Sequence, residues 1–597
     1  MKKLLKILVL GFSSLSLTGC FSTLFLFTKL KPGKGDSSSS SESGSLVIKE
    51  KKSAKFYVSD YSAFNTNIYS VEEKDDVYYV DFQNFYSTVF IPIFANSAAD
   101  QSKMTLKKST SGDSITYTNS FGKFIIDANK DIFRVEGLAS MLFLTAYSGG
   151  DFIIANGLET DYVNYSPTNL NSYTKNYDFR LCDYNIDIVK DNDRIYIPVN
   201  TFIDLIVTPN AIPLSFNGKD IFYTGGFNED ITGSSGTTTI EKKYYNESPW
   251  HSQTTRSEAL ANFTYNEMCF VLDHFYGLKA TRGVSSFDEL FASLGLRDDL
   301  KNTNSTKYNK ALIRFGCSWL FEGHSGLRKF SPYLYSSSYQ NLITDSYNTN
   351  EYYTRLMGTL NELTQSRQAK GKSVGLRVYN NTAIIAFDQF VKTTQDLSQV
   401  YSFYSYEVLH SADTYWMFRK AFEEIESNSA ITNVVIDTTL NVGGMIDALV
   451  WLEAFFTSNP AITVRNTFTN QVTKTSYQVD LNRDGTFDSS DTYQGRYKFF
   501  LMTSRLSFSC GNAFPTLNKE NGAMTIIGER SGGGSCAVGA FSTACGDIFN
   551  LSSTFQFGTF KNNAFYDNED GIGVDLSFSR TNFYQDYAIY EFVNSID

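Results

Sequence analysis

From residue 375 onward the chain alternates apolar runs of strand length with segments of helical pattern: "SVGLRVYNNTAIIAFDQFV", "DTYWMFRKAFEEIESN", "ITNVVIDTTLNVGGM", "IDALVWLEAFFTSNP", "KFFLMTS", "CGNAFPTLNKENG" and "MTIIGER". The short runs VVI and FFLM have no polar alternate positions, so both faces of those strands must be covered. The intervening helices supply the cover, which makes this an α/β unit. In such units functional groups collect beyond the carboxyl ends of strands. Asn441, followed by Gly443 and Gly444, lies just past one such end, and Ser509, followed by Cys510, lies just past another.

At 597 residues the chain is too long for one hydrophobic core. Hydrophobic residues at 42% and charged residues at 19% describe a globular protein. Its 38 Tyr and 50 Phe favour sheet. Residues 46–240 read as a strand-rich α+β domain of unknown role, with short helices such as "VEGLASMLFLTAY" between strands. The polar stretch "FNEDITGSSGTTTIEKKYYNESP" marks its end. Residues 255–330 turn helical, with Leu260, Phe263, Met268, Val271, Leu272 and Phe275 recurring on one face at helical period. The last helix of this region runs into Glu322-Gly323-His324-Ser325. A net charge of -11 without a clustered basic patch argues against a nucleic-acid partner.

Three separated segments then supply the parts of an acyl-transfer site. A serine hydroxyl is a weak nucleophile near neutral pH and needs a base to take its proton. Ser509 is the candidate nucleophile, with the N–H of Cys510 beside it, and His324 is one of only four histidines. The glycines at 443 and 444 let backbone N–H groups approach a developing oxyanion.

In this order the segments resemble the C-terminal processing, or tail-specific, serine peptidase family over residues 255 to 597. The elements are Glu322-Gly323-His324-Ser325, the strand ending Asp437-x-x-x-Asn441-x-Gly443-Gly444, Ser509-Cys510-Gly511-Asn512, Gly528-Glu529 through Gly533, and the tail Glu569-Asp570-Gly571-Ile572-Gly573-Val574-Asp575. Ser-Lys members carry a lysine where Gly534 stands, so the resemblance points to the branch shared by tricorn-type peptidases and retinoid-binding interphotoreceptor proteins. It implies a crotonase-like α/β core over 375–597 with a small helical subdomain at 255–330. It also implies Ser509 as nucleophile, His324 as base and Glu569 as the group that orients it, with Asp570 and Asp575 as alternatives. The oxyanion hole would be Cys510 with Gly443 or Gly444, and no cofactor is needed for catalysis. The chain departs from the family at Thr439, where an arginine is usual, and at Val574, where a proline is usual. Residues 331–374 are too few for a PDZ domain.

The first residues, "MKKLLK", "ILVLGFSSLSL" and "LTGC", resemble a bacterial lipoprotein signal: 1–19 a cleaved leader, Cys20 the lipidated residue and 20–45 a flexible tether. The expectation is a serine endopeptidase anchored by lipid to a membrane, extracytoplasmic in a bacterial cell envelope, acting on peptides or unfolded protein segments. The alternative is a ligand- or peptide-binding lipoprotein that kept the fold without catalysis. Finally, "DLNRDGTFDSSD" places Asp480, Asn482, Asp484, Thr486, Asp488 and Asp491 at calcium-loop spacing within an insertion at 478–493. The same stretch also reads as a solvated acidic hairpin.

Overall fold

The computed structural model describes residues 46–596 apart from 60–61, 96–97, 143–150, 156–157, 228–237 and 337. The leader, Cys20 and the tether lie outside the described residues. The fold is a multi-domain α/β arrangement with a strand-rich N-terminal region. That region holds a seven-stranded sheet begun by the hairpin Ile48–Ser59 and Ser62–Val71, and a five-stranded antiparallel sheet from Lys107–Ser111 to Asn176–Arg180. In the smaller sheet Ile115, Tyr117, Phe124, Ile126, Phe133, Val135 and Phe179 are buried, one face of each strand, as the period of two requires. Of the helix expected in "VEGLASMLFLTAY", the described residues hold one short turn at Leu138–Ser140.

One strand crosses the boundary expected near residue 240. Val163–Asn169 leaves the N-terminal sheets and pairs antiparallel with Val472–Val479, with Tyr165 opposite Tyr477. The Tyr477 hydroxyl donates to the buried Asp151 carboxylate at 2.7 Å, and Phe152 packs on Phe555. Reading by local texture alone assigned this strand to its sequence neighbours, whereas the unpaired edge of Val472–Val479 recruits it.

The helical subdomain starts with α1 (Glu258–Phe275), capped by Ser257, whose side chain accepts the Leu260 N–H. Residues 331–374 form two helices, Tyr339–Thr349 and α2 (Glu351–Ala369), the second capped by Asn350. Between them and α1, the strand Gly326–Lys329 follows His324 directly and pairs with the long strand Ile548–Lys561. This pairing fixes the place of His324 against the core.

The core sheet runs in sequence order: β1 (Gly375–Tyr379), β2 (Thr382–Ala386), β3 (Asn433–Asp437), β4 (Lys498–Thr503), β5 (Thr525–Gly528) and β6 (Leu576–Ser577). Only β1 and β2 are antiparallel; the remaining pairs are parallel. On one face Ile384, Val435 and Phe500 lie side by side in register and pack under α2 residues such as Leu363. On the other, Ile385, Val434, Ile436 and Leu501 pack on α3 (Thr414–Glu426) and α4 (Ile446–Phe456). Each such side chain contributes about 1.5–3 kcal/mol by leaving water. The helix α5 (Cys510–Asn521) follows β4 and begins at the candidate nucleophile.

The crossing strand makes a prediction. A fragment beginning at residue 250 lacks Val163–Asn169, leaving the edge of Val472–Val479 open and Phe555 uncovered. It should aggregate in sedimentation measurements, while the full chain should lose 472–479 amide protection in the same transition as the core. A soluble fragment with native hydrogen-exchange protection at 472–479 would make the two regions independent.

Candidate active site

Ser509 occupies a sharp corner between β4 and α5. Its backbone lies at φ 56°, ψ -122°, a conformation that L-residues rarely adopt. Holding it there costs on the order of 1–3 kcal/mol, so the surroundings must enforce it. They do so from three sides. The Ser509 N–H donates to the Gly533 carbonyl at 3.0 Å, and its own carbonyl accepts the N–H groups of Asn512 and Ala513 in the first turn of α5. Before it, the Phe508 N–H donates to Asn441 and the Ser507 hydroxyl to the Thr438 carbonyl, tying the corner to the loop after β3. The result lifts the Ser509 side chain to the surface end of a helix, in the manner of a nucleophile elbow.

The glycines after β3 meet this corner directly. Gly443 has φ +103°, and a Cβ placed on it would lie 2.6 Å from the Ser509 Cβ and 3.1 Å from the Cys510 nitrogen. Only glycine fits so close an approach. The Gly443 N–H, however, donates to the Asn441 side-chain oxygen at 2.9 Å. Of the donors read from sequence, Gly444 and Cys510 are therefore the pair left to hold an oxyanion, since neither N–H has an acceptor among the described residues. The Cys510 thiol donates to the Gly444 carbonyl at 3.1 Å and is pushed up to about 12 by burial, with the Asp447 charge adding to it. It stays a thiol at physiological pH, so Ser509 and not Cys510 carries the nucleophilic reading.

His324 is buried and its ring packs on Phe508, the residue before Ser509, at 4.8 Å between centroids. No hydrogen bond joins His324 to Ser509, and the imidazole Nδ1 is buried without a partner. The structure does not bring Glu569 to that nitrogen. One Glu569 carboxylate oxygen accepts both the N–H and the hydroxyl of Ser535, each at 2.7 Å, because the tail loop packs face to face on residues 531–535. Burial and the neighbouring Glu322 raise Glu569 to about 7. Of the two alternatives, the Asp575 carboxylate is held by the Ile526 N–H and Lys519, while Asp570 is exposed and its backbone carbonyl accepts from Arg530.

The acid that does touch His324 is Glu322, to which no role had been assigned. One of its oxygens accepts the His324 backbone N–H at 3.0 Å and the other the Ser552 hydroxyl at 2.8 Å. Its charge is the one that favours the imidazolium here. The motif Glu-Gly-His puts an acid within reach of the histidine backbone without fixing where it points, and the fold turns it back onto the His324 N–H. A second compensation concerns Thr439. Its hydroxyl donates to Asp437 at 2.6 Å, and a guanidinium reaches the same carboxylate from β1, Arg377 at 3.5 Å. An arginine from β1, with β2 between it and β3, thus stands beside the acid whose motif partner is missing.

Around the loop 480–491, the Asp480 carboxylate accepts the N–H groups of Asp484 and Gly485, Asp491 those of Asn482 and Asp488, Asp484 that of Thr486, and Asp488 that of Ser490. Among the described residues no group of three or more His, Cys, Asp or Glu is arranged to hold a metal ion. Cys182, Cys269, Cys317, Cys510, Cys536 and Cys545 are all free thiols.

Comparison with known proteins places the core. Residues 381–573 match the model of Peptidase family S41. The matched segment spans β2 to the tail loop, including Ser509 and Glu569 but not His324. No curated protein matches the chain. Among solved structures, a putative peptidase from Parabacteroides merdae is similar at 15% identity, covering 56% of this chain and 96% of that one with a TM-score of 0.36. A photosystem II D1 C-terminal processing protease is similar at 14% identity over 33% of this chain, with a TM-score of 0.24. The match spans 42% of that protease's length. A putative S41 protease from Bacteroides fragilis is similar at 13% identity, covering 38% of this chain and 58% of that one, with a TM-score of 0.26. These TM-scores are too low to argue from, so the S41 assignment of the segment rests on the sequence match.

The S41 segment and His324 together define a pH test. Burial pushes His324 from 6.5 down to about 4, with Glu322 opposing the shift. A general base works only unprotonated, so lowering its pKa extends activity toward acid. The rate of fluorophosphonate labelling should be nearly equal at pH 7 and pH 5.5 and fall as pH approaches 4. Glu322→Gln removes the charge that favours the imidazolium and should move this limb further to acid. A half-loss near pH 6.5 would mean that the imidazole is solvated.

Proposed function

We propose that the chain is a lipid-anchored extracytoplasmic serine endopeptidase that cleaves peptides or unfolded protein segments through an acyl-enzyme. The observation that carries the reading is the strained Ser509 corner, pressed against Gly443 with His324 alongside. In the proposed reaction His324 takes the Ser509 proton as the hydroxyl oxygen attacks the peptide carbonyl. The Gly444 and Cys510 N–H groups receive the oxyanion, each such donor being worth about 3–4 kcal/mol in comparable sites. The imidazolium then protonates the leaving amine, and water hydrolyses the ester by the reverse proton path. Closing the Ser509–His324 contact is left to substrate binding, as catalytic hydrogen bonds often tighten only in the complex. The His324 Nδ1 is buried without a partner, and Glu322 is the acid whose charge favours the imidazolium. Membrane attachment rests on the Leu-Thr-Gly-Cys20 signal; no helix of the described residues is long and apolar enough to cross a membrane.

The deciding experiment is labelling with a serine-reactive fluorophosphonate. Wild-type protein should label at Ser509, and Ser509→Ala should lose both labelling and peptide hydrolysis by a factor on the order of 10⁴ or more. His324→Ala should lose a comparable factor, because members of such a unit fail together. Failure of the wild-type protein to label would favour the binding-protein reading.

We also propose calcium at the loop 480–491. Asp480 is 1% exposed and its charge acts on Asp491, which burial and Asp480 both push up, so a cation there would relieve two crowded carboxylates. The ion would have to draw Asp484 and Asp488 inward. Calcium added to chelated protein should raise the melting midpoint. An unchanged melt would leave a turn closed by its own N–H groups.

A further inference from the structure

A cavity of about 550 Å³ lies between the N-terminal region and the sheet that Val163–Asn169 joins, and none of the residues that build the Ser509 corner lines it. Its floor is one face of adjacent, paired strands. Ile462 stands beside Thr475 and Val464 beside Thr473, with Asn169 next to Thr473 and Phe555 next to Asn466. Phe121, Leu138, Leu142 and Tyr173 close it from the N-terminal region. The volume falls within the range of about 300–1,000 Å³ usual for small-ligand sites.

The polar groups of the lining are mostly neutral, and several are only half used. Asn466 is 6% exposed; its side-chain oxygen accepts the Phe468 and Thr469 N–H groups, and its NH2 donates to no described residue. Gln471 donates its NH2 to the Asn169 side-chain oxygen at 2.6 Å, and the Thr473 hydroxyl donates to the same oxygen at 3.1 Å. The Gln471 oxygen and the Asn169 NH2 are left without partners among the described residues. The lining has two charged residues, Asp151 and Lys175. The Asp151 carboxylate accepts the Ile154 N–H and the Tyr477 hydroxyl. Lys175 is exposed, its ammonium 5.5 Å from the centre of the Tyr173 ring.

These groups define what a ligand must carry. An anion would meet only the exposed Lys175, and a cation only an acid that already holds two donors. A wholly apolar ligand would cover the Asn466 NH2 without pairing it, which is unfavourable where water is excluded. A peptide backbone pairs with a free strand edge, and Ala461–Asn466 and Val472–Val479 have neighbouring strands on both sides. A sugar meets every condition. Each of its hydroxyls both donates and accepts, so it satisfies an amide NH2, an amide oxygen or a threonine hydroxyl equally. The C–H faces of its rings match the apolar side chains that alternate with those groups.

We infer that this cavity binds a neutral oligosaccharide, with Asn466, Gln471 and Asn169 on its hydroxyls and Phe121 and Leu138 against its ring faces. The proposal does not rest on the peptidase reading. Because the walls belong to two regions of the chain, a bound glycan would brace one against the other.

Saturation-transfer NMR on the full chain tests this with three probes, cellotriose, maltotriose and chitotriose, and with acetyl-trialanine amide as a neutral peptide. At least one trisaccharide should bind with a Kd of about 1 mM or tighter and raise the melting midpoint. A preference for chitotriose assigns a glycan with acetamido groups, and a preference for either other sugar assigns one recognised by hydroxyls alone. Asn466→Asp keeps the acceptor for Phe468 and Thr469 but removes the NH2, and should weaken binding by about two- to tenfold. Gln471→Ala, at a half-exposed position, should weaken it to a similar degree. If one variant melts below the wild type, the other decides. No transfer to any of the sugars, equal affinity in the wild type and both variants, or tighter binding of the peptide than of every sugar overturns the glycan site.

Discussion

The Ser509 corner depends on one close approach, that of Gly443 to Ser509. It is possible because β3 and β4 are adjacent and parallel, with Asp437 beside Met502, so their following loops leave the sheet at the same edge. Four side-chain and backbone ties then lock the loops together: Ser504 to Thr439, Ser507 to Thr438, Phe508 to Asn441, and the Thr438 N–H to Met502. Gly511 repeats the theme, its Cα resting on the Asn441 carbonyl and side chain. The strain at Ser509 is held by this network and by the core beneath it, not by any property of the serine.

Charge around the corner is unevenly distributed, and burial decides its effect. His324 sits against the Phe508 ring with Glu322 below its backbone, yet desolvation outweighs the attraction and favours the neutral imidazole. Glu569 and Glu322 are mutually repelling acids within one buried region, which holds Glu569 partly protonated near neutral pH. A few residues away Arg505 and Arg530 face an open cavity. The lining of that cavity mixes arginines with acids, Glu322 and Glu569 among them.

Much of this was legible in the residues. The buried runs of β3 and β4, the paired glycines, and the serine after an apolar strand are local signals, because burial on both faces and positive φ leave marks within a few positions. Glu322 was written in its motif but silent as to role, since an acid two residues before a histidine can point anywhere. Glu569 was legible as a late acid in a recognisable tail, but its partner was not. Ser535 holds it because two loops far apart in sequence happen to meet face to face.

What the sequence by itself determined is therefore the α/β core, the Ser509 corner and the pool of groups able to act there, since each follows from periodicity, apolar runs and glycine. Tertiary structure alone decided which groups pair. It gave the Gly443 N–H to Asn441 and Arg377 to Asp437, sent Val163–Asn169 across to the core, and set Asn466 and the distant Phe121 around one cavity. Hydrogen bonds and charges act over a few ångströms, and which residues come that close is a property of the packed chain, not of any stretch of it.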